Sequence, residues 1–263
     1  MVPSGKEERV LVVDVGNTTT TCAVFLAERV VRTAIVPTET LKHRAEQLLR
    51  PFADAYPEIR EAVLCSVVPA VSDQLRHMLP AWLSGNVLEI SASLRLPFVL
   101  HYDPPESFGA DRIAFCALGR KLAVDRALIA LDVGTAITFD VLGRSGDYLG
   151  GFIMPGIDLM ARSLHERTAQ LPLVAIQPPE ELLGRSTAAS VRNGIFWGSI
   201  AQVEGLSSRI LRTLRERGEG EAVVIATGGN ASWVVRELAV PVLLVDHAVA
   251  AGANYLYRLN SSG

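Results

Sequence analysis

A short apolar strand that ends in Asp-Val-Gly occurs twice in this chain. Leu11-Val12-Val13 runs into Asp14-Val15-Gly16, and Ala130-Leu131 runs into Asp132-Val133-Gly134, so the two aspartates stand 118 positions apart in 263 residues. Each turn continues through threonine into a second β-rich run, Ala23-Val24-Phe25 in one case and Ala136 to Leu142 in the other. Strand, tight turn, strand is therefore written twice, nearly half a chain apart. The economical reading is a duplicated α/β chain with its boundary near residue 125, a first half over 1–125 and a second over 126–263.

The stretches between these turns alternate in type. Helical spacing is read over Leu41 to Tyr56, with Pro51 expected to bend or split it. It recurs over Ser72 to Leu83 with Ser72 as N-cap, Gly109 to Val124, Ile157 to Thr168, Ala188 to Arg217 with Thr187 as N-cap, and His247 to Leu259. Short buried strands are expected at Ala62 to Val68, Val87 to Ile90 and Val223 to Ala226, the last closed by Gly228-Gly229. Residues 97–108 hold three prolines and read as irregular. Gly194, Gly198 and Gly205 in the longest helix suggest close packing against another element. The final Asn-Ser-Ser-Gly is expected to fray. Alternating strands and helices point to α/β layers.

Composition narrows the function classes. Hydrophobic residues make up 49% and charged residues 20%, enough for a core and against disorder. The formal net charge of -3 leaves no basic surplus for a nucleic-acid backbone, so no nucleic-acid partner is expected. The apolar runs are short and interrupted, so no membrane span is expected, and Met1 to Arg9 lacks the apolar centre of a secretory signal. Three dispersed cysteines, Cys22, Cys65 and Cys116, read as reduced thiols of a cytoplasmic protein. The five histidines keep no zinc-ligand spacing.

The repeated turns suit phosphate. Backbone N–H groups of a tight turn converge on one concavity, glycine admits an oxygen closely, and threonine hydroxyls add donors. Gly16, Asn17, Thr18 and Thr19 supply such groups in the first turn; Gly134, Thr135 and Thr138 supply them in the second. A strand-end aspartate suits a metal ion or its bound water. Neither a G-x-x-x-x-G-K-[ST] loop nor G-x-G-x-x-G occurs. Taken singly, each turn is equally an ordinary hairpin with glycine at positive φ.

Several further blocks stand in order along the chain: Gly109-Ala110-Asp111-Arg112, Gly150-Gly151 with Pro155-Gly156, Leu164 to Ala169 with Leu171-Pro172, Gly184 to Thr187, and Thr227-Gly228-Gly229. With the two Asp-Val-Gly turns, they make the chain resemble the type III pantothenate kinases of the actin-like kinase superfamily, from Val10 to about Tyr257. The resemblance implies two duplicated actin-like (ribonuclease H-like) domains, each a mixed sheet flanked by helices, with a cleft between them. It implies transfer of the ATP γ-phosphate to the primary hydroxyl of pantothenate. Asp111 would be the proton acceptor. Asp14, Val15, Gly16, Asn17, Thr18, Thr19, Thr20, Thr21 and Thr135 would bind ATP. Tyr102, Gly109, Ala110, Asp111, Arg112 and Thr187 would line the pantothenate pocket. Asp132 would hold a monovalent cation, potassium or ammonium, and Asp14 would serve Mg²⁺ directly or through water. A cytoplasmic homodimer with the site near the subunit interface is implied as well.

From charge and adjacency, Arg112 offers a planar fork for the pantothenate carboxylate. Plainer readings stand beside these. Asp111 and Arg112 could be a helix-start aspartate and a solvated arginine, Tyr102 a cover for the core, and Thr187 a helix cap. Two other functions compete: another actin-like phosphotransferase for a sugar or polyphosphate, and a non-catalytic accessory protein of the same fold. Loss of Asp14, Asp111 or Asp132 would favour the last, and all three are present.

Overall fold

A computed structural model describes residues 8–83 and 85–261. The chain divides into two compact units. One takes the chain up to Leu122 and again from His247 onward, and the other is Ala123–Asp246. The closing stretch thus belongs with the first unit, whereas the sequence reading left it at the end of the second half.

The first unit is built on a five-stranded sheet in the order β3-β2-β1-β4-β5. Its strands are β1 (Arg9–Val15), β2 (Thr19–Leu26), β3 (Arg29–Pro37), β4 (Glu61–Ser66) and β5 (Val87–Glu89). β1, β2 and β3 run antiparallel as a meander, while β4 and β5 add in parallel beyond β1. β1 is central and buried on both faces, which explains its unbroken Val/Leu run. β3 alternates in burial as an edge strand does, and was not expected. Leu11, Val13 and Val15 pack with α1 (Thr38–Ala55) and α2 (Pro69–Leu83). By alternation, Val10, Val12 and Asp14 point to the other face, where α3 (Ala110–Leu122) and a terminal helix over Ala248–Ser261 lie.

Three local expectations are corrected. α1 breaks at Arg44, not at Pro51, and the buried stripe Leu41, Ala45, Leu49 and Phe52 continues across the break. Ser72 does not cap α2. That helix begins at Pro69, a favourable first position because proline's missing N–H has no helical partner there. Ser72 Oγ instead donates to Ser66 Oγ at 2.7 Å and to the Val68 carbonyl at 3.1 Å. The terminal helix extends through Asn260, whose Nδ2 donates to the Arg95 carbonyl at 3.1 Å while its Oδ1 accepts from Arg95 N at 2.9 Å. Of the tail expected to fray, Ser262 and Gly263 lie outside the described residues.

The second unit repeats the topology. Its sheet, in the order β10-β9-β6-β7-β8, contains β6 (Ala127–Val133), β7 (Ala136–Leu142), β8 (Tyr148–Pro155), β9 (Ala222–Thr227) and β10 (Leu243–Leu244). The first three again form an antiparallel meander and the last two add in parallel beyond β6. Element by element the order matches the first sheet. Asp14 and Asp132 occupy the same position, sixth of seven residues in the central strand. The core of this unit lies between the sheet and α4 (Ile157–Arg167), α5 (Thr187–Glu216) and α6 (Ala231–Glu237). The terminal helix, in chain order, is α7.

α5 starts one residue earlier than expected. Its cap is Ser186, whose Oγ accepts from Ala189 N at 3.2 Å; Thr187 is the first helical residue. The glycines of α5 do not pack closely: Cβ atoms at Gly194, Gly198 and Gly205 would meet only open space.

Candidate active site

The first turn is a tight β1–β2 hairpin closed by Gly16 N donating to the Thr19 carbonyl at 3.0 Å. Its support comes from Thr38, at the start of α1. Thr38 N donates to the Thr18 carbonyl at 2.9 Å, and its Oγ1 donates to the Gly16 carbonyl at 2.7 Å. The Thr38 hydroxyl also lies 3.0 Å from that of Thr20. Both threonines are buried, so these groups satisfy one another away from water. The Val15 side chain belongs to the core and that of Thr20 is spent on Thr38, because each is at most 1% exposed. Asn17, Thr18 and Thr19 remain exposed, and Asp14, Gly16 and Thr21 are half-buried.

Asp14 and Asp111 meet around one buried thiol. Cys65 is the β4 partner of Asp14, and alternation places it on the face covered by α3. Burial first, then the nearby Asp14 and Asp111 carboxylates, raise the Cys65 thiol well above its ordinary value. Burial, with Asp14 second, pushes Cys22 up to about 12. These thiols are held in the protonated form.

Asp111 opens α3. Its Oδ1 accepts from Arg112 N at 2.8 Å. Gly109 gives this carboxylate its room, since a Cβ there would stand 2.5 Å from Oδ1. Burial raises the Asp111 carboxyl above its usual range, partly offset by the Arg112 N–H and the Arg112 charge. Arg112 is not the solvated residue of the plainer reading: it is 8% exposed. Its guanidinium carbon lies 4.3 Å from the Phe108 ring centroid and 5.6 Å from that of Tyr102. The two rings meet edge-on at 4.9 Å. A pocket of about 580 Å³ opens beside this helix start, lined by Ser66, Ser72, Ser91, Ser93, Phe108 and Gly109 among others.

In the second unit the Asp132 carboxylate sits in a cradle of glycine backbone. A Cβ at Gly228, where φ is +107°, would fall 2.4 Å from Asp132 Oδ1. A Cβ at Gly134 would lie 3.4 Å from the same oxygen. Gly156 backs onto the turn: its N donates to the Thr135 carbonyl at 3.0 Å, and a Cβ would come within 2.2 Å of the Gly134 carbonyl oxygen. The Gly228-Gly229 turn is tied down by Asn230 N, which donates to the Val133 carbonyl at 3.1 Å. Thr135 is exposed and Thr138 half-buried beside this turn. Thr187 is exposed on a groove of about 810 Å³ lined by Leu159, Met160, Leu164, Gly194 and Gly198.

The sequence reading passed over Thr38 and Phe108. Thr38 could have been sought as a polar residue at a helix start after Pro37. Phe108 carries no signal beyond its adjacency to Gly109.

Among the described residues, no three His, Cys, Asp or Glu side chains gather into a metal cage. A lone strand-end carboxylate such as Asp14 fits Mg²⁺ in the mode where substrate phosphates and water complete the shell. At Asp132, the carboxylate and the Val133 carbonyl, both close to the side-chain-free Gly228, are oxygen donors of the kind that fits a loosely coordinated monovalent cation.

A profile of the type III pantothenate kinases matches residues 10–209. A type III pantothenate kinase of Chlorobium luteolum is 47% identical over 253 residues, 95% of this chain and 94% of the relative. That of Chlorobaculum parvum is 48% identical over 254 residues, 95% of each. Among solved structures, a Campylobacter jejuni chain described as a candidate transcriptional activator of the Baf family aligns with TM-score 0.61 at 16% identity, over 96% of this chain and all of that one. An Arthrobacter inorganic polyphosphate/ATP-glucomannokinase aligns with TM-score 0.50 at 13% identity, over 96% of this chain and 99% of the other. The two structures share the fold. The family profile over residues 10–209 and the relatives matched over almost the full length establish that the chain belongs to the type III pantothenate kinase family.

Proposed function

We propose that this chain transfers the γ-phosphate of ATP to the primary hydroxyl of pantothenate, giving 4′-phosphopantothenate on the way to coenzyme A. The family is one of ATP-dependent kinases, which use a divalent metal with the nucleotide. The observation that carries the assignment of roles is Asp111: a half-buried carboxylate at the start of α3, raised in proton affinity and on the same sheet face as Asp14.

Phosphoryl transfer asks mostly for positioning and for neutralisation of charge. In this reading the exposed donors of the first turn, Asn17, Thr18 and Thr19 with the Gly16 backbone, hold ATP, and Thr135 adds a contact. Asp14 holds Mg²⁺, which when bound neutralises phosphate charge. Asp111 accepts a hydrogen bond from the pantothenate hydroxyl, orients it, and takes its proton as the new P–O bond forms. Its raised proton affinity brings it nearer to the optimum for a base at neutral pH than an ordinary aspartate. Arg112 receives the pantothenate carboxylate through its N–H edge, with Tyr102 and the Gly109 backbone beside it. Thr187 completes the acceptor contacts. Asp132 holds the monovalent cation, potassium or ammonium.

Two copies are proposed to associate. Leu159 and Leu164 are exposed and line the α4–α5 groove, an apolar surface of the kind that marks an interaction site, and Leu173, Leu182 and Leu183 of the second unit are exposed too. A cytoplasmic setting is supported by three buried free cysteines. Among the described residues no helix is long and apolar enough to cross a membrane.

The direct test is ADP release by purified protein with ATP, Mg²⁺ and potassium, with and without pantothenate. Release that depends on pantothenate is expected. Release that ignores pantothenate, or none at all, would refute the assignment.

A further inference from the structure

Reversing a peptide plane changes ψ of the residue before it and φ of the residue after it. The Gly16–Asn17 plane is flanked by two residues that resist this weakly: glycine accepts a wide range of ψ, and asparagine tolerates positive φ better than most. A turn that offers its amides to phosphate therefore needs something to hold that plane. Thr38, at the junction of β3 and α1, does so. Its Oγ1 donates to the Gly16 carbonyl at 2.7 Å and its N to the Thr18 carbonyl at 2.9 Å. The amide is the first of α1, where a donor has no partner within the helix. The hydroxyl has one proton, and a carbonyl can only accept it. In the 3.0 Å contact between the two threonine hydroxyls, Thr20 is then the donor. The result is a directional chain from Thr20 to Thr38 to the Gly16 carbonyl. Both side chains are at most 1% exposed, so solvent does not compete for either hydroxyl.

In a trans peptide the C=O and the N–H of one plane point in opposite directions. With the Gly16 and Thr18 carbonyls turned toward Thr38, the Asn17 and Thr19 amides point away from it. Asn17 and Thr19 are exposed and Thr38 is buried, so the turn is held from behind while its outer side stays open. We infer that Thr38 is a positioning residue for the nucleotide: its hydroxyl locks the Gly16–Asn17 plane so that the amides of the first turn face the ATP phosphates. The inference rests on the proposed role of that turn in holding ATP. It makes the hydroxyl decisive and the bulk of the side chain secondary, and it puts the effect on the nucleotide and not on the acceptor.

The experiment measures kcat and both KM values by ADP release for wild type, Thr38→Val and Thr38→Ser. Thr38→Ala takes the place of Thr38→Val if the latter does not fold. Loss of the hydroxyl is expected to raise KM for ATP about tenfold, the order of one hydrogen bond to a charged acceptor, with KM for pantothenate unchanged. Thr38→Ser keeps the O–H and is expected to restore KM for ATP. A residue that served stability alone would lower the active fraction, and with it kcat, at an unchanged KM for ATP; that pattern overturns the inference. An equal rise in KM for ATP in Thr38→Ser overturns it as well. Asn17→Asp separates the two levels of the argument, since a carboxylate on the outer side of the turn repels phosphate whatever Thr38 does. If it leaves KM for ATP unchanged, the ATP role of the turn falls, and the inference with it. Wild type without pantothenate-dependent ADP release overturns the proposed function itself.

Discussion

Asp111 is kept at some expense to the fold. Burial favours its neutral form more than the Arg112 N–H and charge favour its anion, so its proton affinity is higher folded than unfolded. Between the ordinary carboxylate value of about 3.8 and that raised value, the folded chain binds more protons than the unfolded one. Stability from this group is therefore complete at low pH and is lost as pH rises through the folded value. Asp111→Asn removes the charge while leaving an Oδ1 to accept from Arg112 N. It is expected to melt higher than wild type at neutral pH, with the gap closing on acidification, while turnover falls by about 100-fold or more. Calorimetry and ADP release on the same preparations measure both; a fully active variant removes Asp111 as the base. In wild type the acid limb of the rate should lie above the range of a free aspartate. The sequence identified Asp111 by its block but not its proton affinity, which comes from the burial that folding imposes. Nor could it show that Thr20 is consumed by Thr38, a contact between side chains 18 positions apart.

At the scale of elements, the turns are rigid because backbone fills the space a side chain would need. Gly228 carries the clearest demand. Its φ of +107° is strained for any other residue, and a Cβ would strike both Asp132 Oδ1 and the Val133 carbonyl. Gly228→Ala is expected to cost about 1–3 kcal/mol of stability. Displacement of the Asp132 carboxylate should lower kcat/KM for ATP on the order of 10- to 100-fold. It should also blunt the response to cations. Wild type should slow when sodium replaces potassium, and the variant should slow little further. Equal wild-type rates in both salts would remove the cation role of Asp132. The glycine pair was visible in the sequence as a turn after a strand. What it presses against was not, since Asp132 and Gly228, far apart in sequence, are brought together by the β6–β9 pairing. Element ends were less legible than element types for a related reason. Ser72 and Thr187 look like caps locally, but Pro69 and Ser186 reach the helix start first. β3, β8, α6 and β10 were missed because an edge strand, a glycine-interrupted edge strand, a seven-residue helix and a two-residue strand carry too weak an apolar pattern for periodicity to register.

Across the whole molecule, duplication was legible because each half must solve the same problem: a central buried strand that ends in a carboxylate and a tight turn. Six residues of that solution suffice to reveal it, and the matching strand orders follow. The return of α7 to the first unit was not legible, since an apolar helix shows that it needs a partner without naming it. The partner is α3: a Cβ at Gly252 would stand 1.9 Å from the Ala114 carbonyl oxygen, so the two backbones cross in contact. The α4–α5 surface poses the same question in reverse. Gly194 and Gly198 face open space beside exposed Leu159 and Leu164, an exposed apolar face. If that partner is a second copy, light scattering should give the mass of two chains. Leu164→Glu should then shift the protein to one chain, because a carboxylate buried in an apolar interface is disfavoured unless paired. Its melting temperature at low concentration should hardly change, since Leu164 is already exposed in the single chain. A wild type that scatters as one chain at every concentration would refute the homodimer, and a Leu164→Glu variant that stays dimeric would move the interface elsewhere.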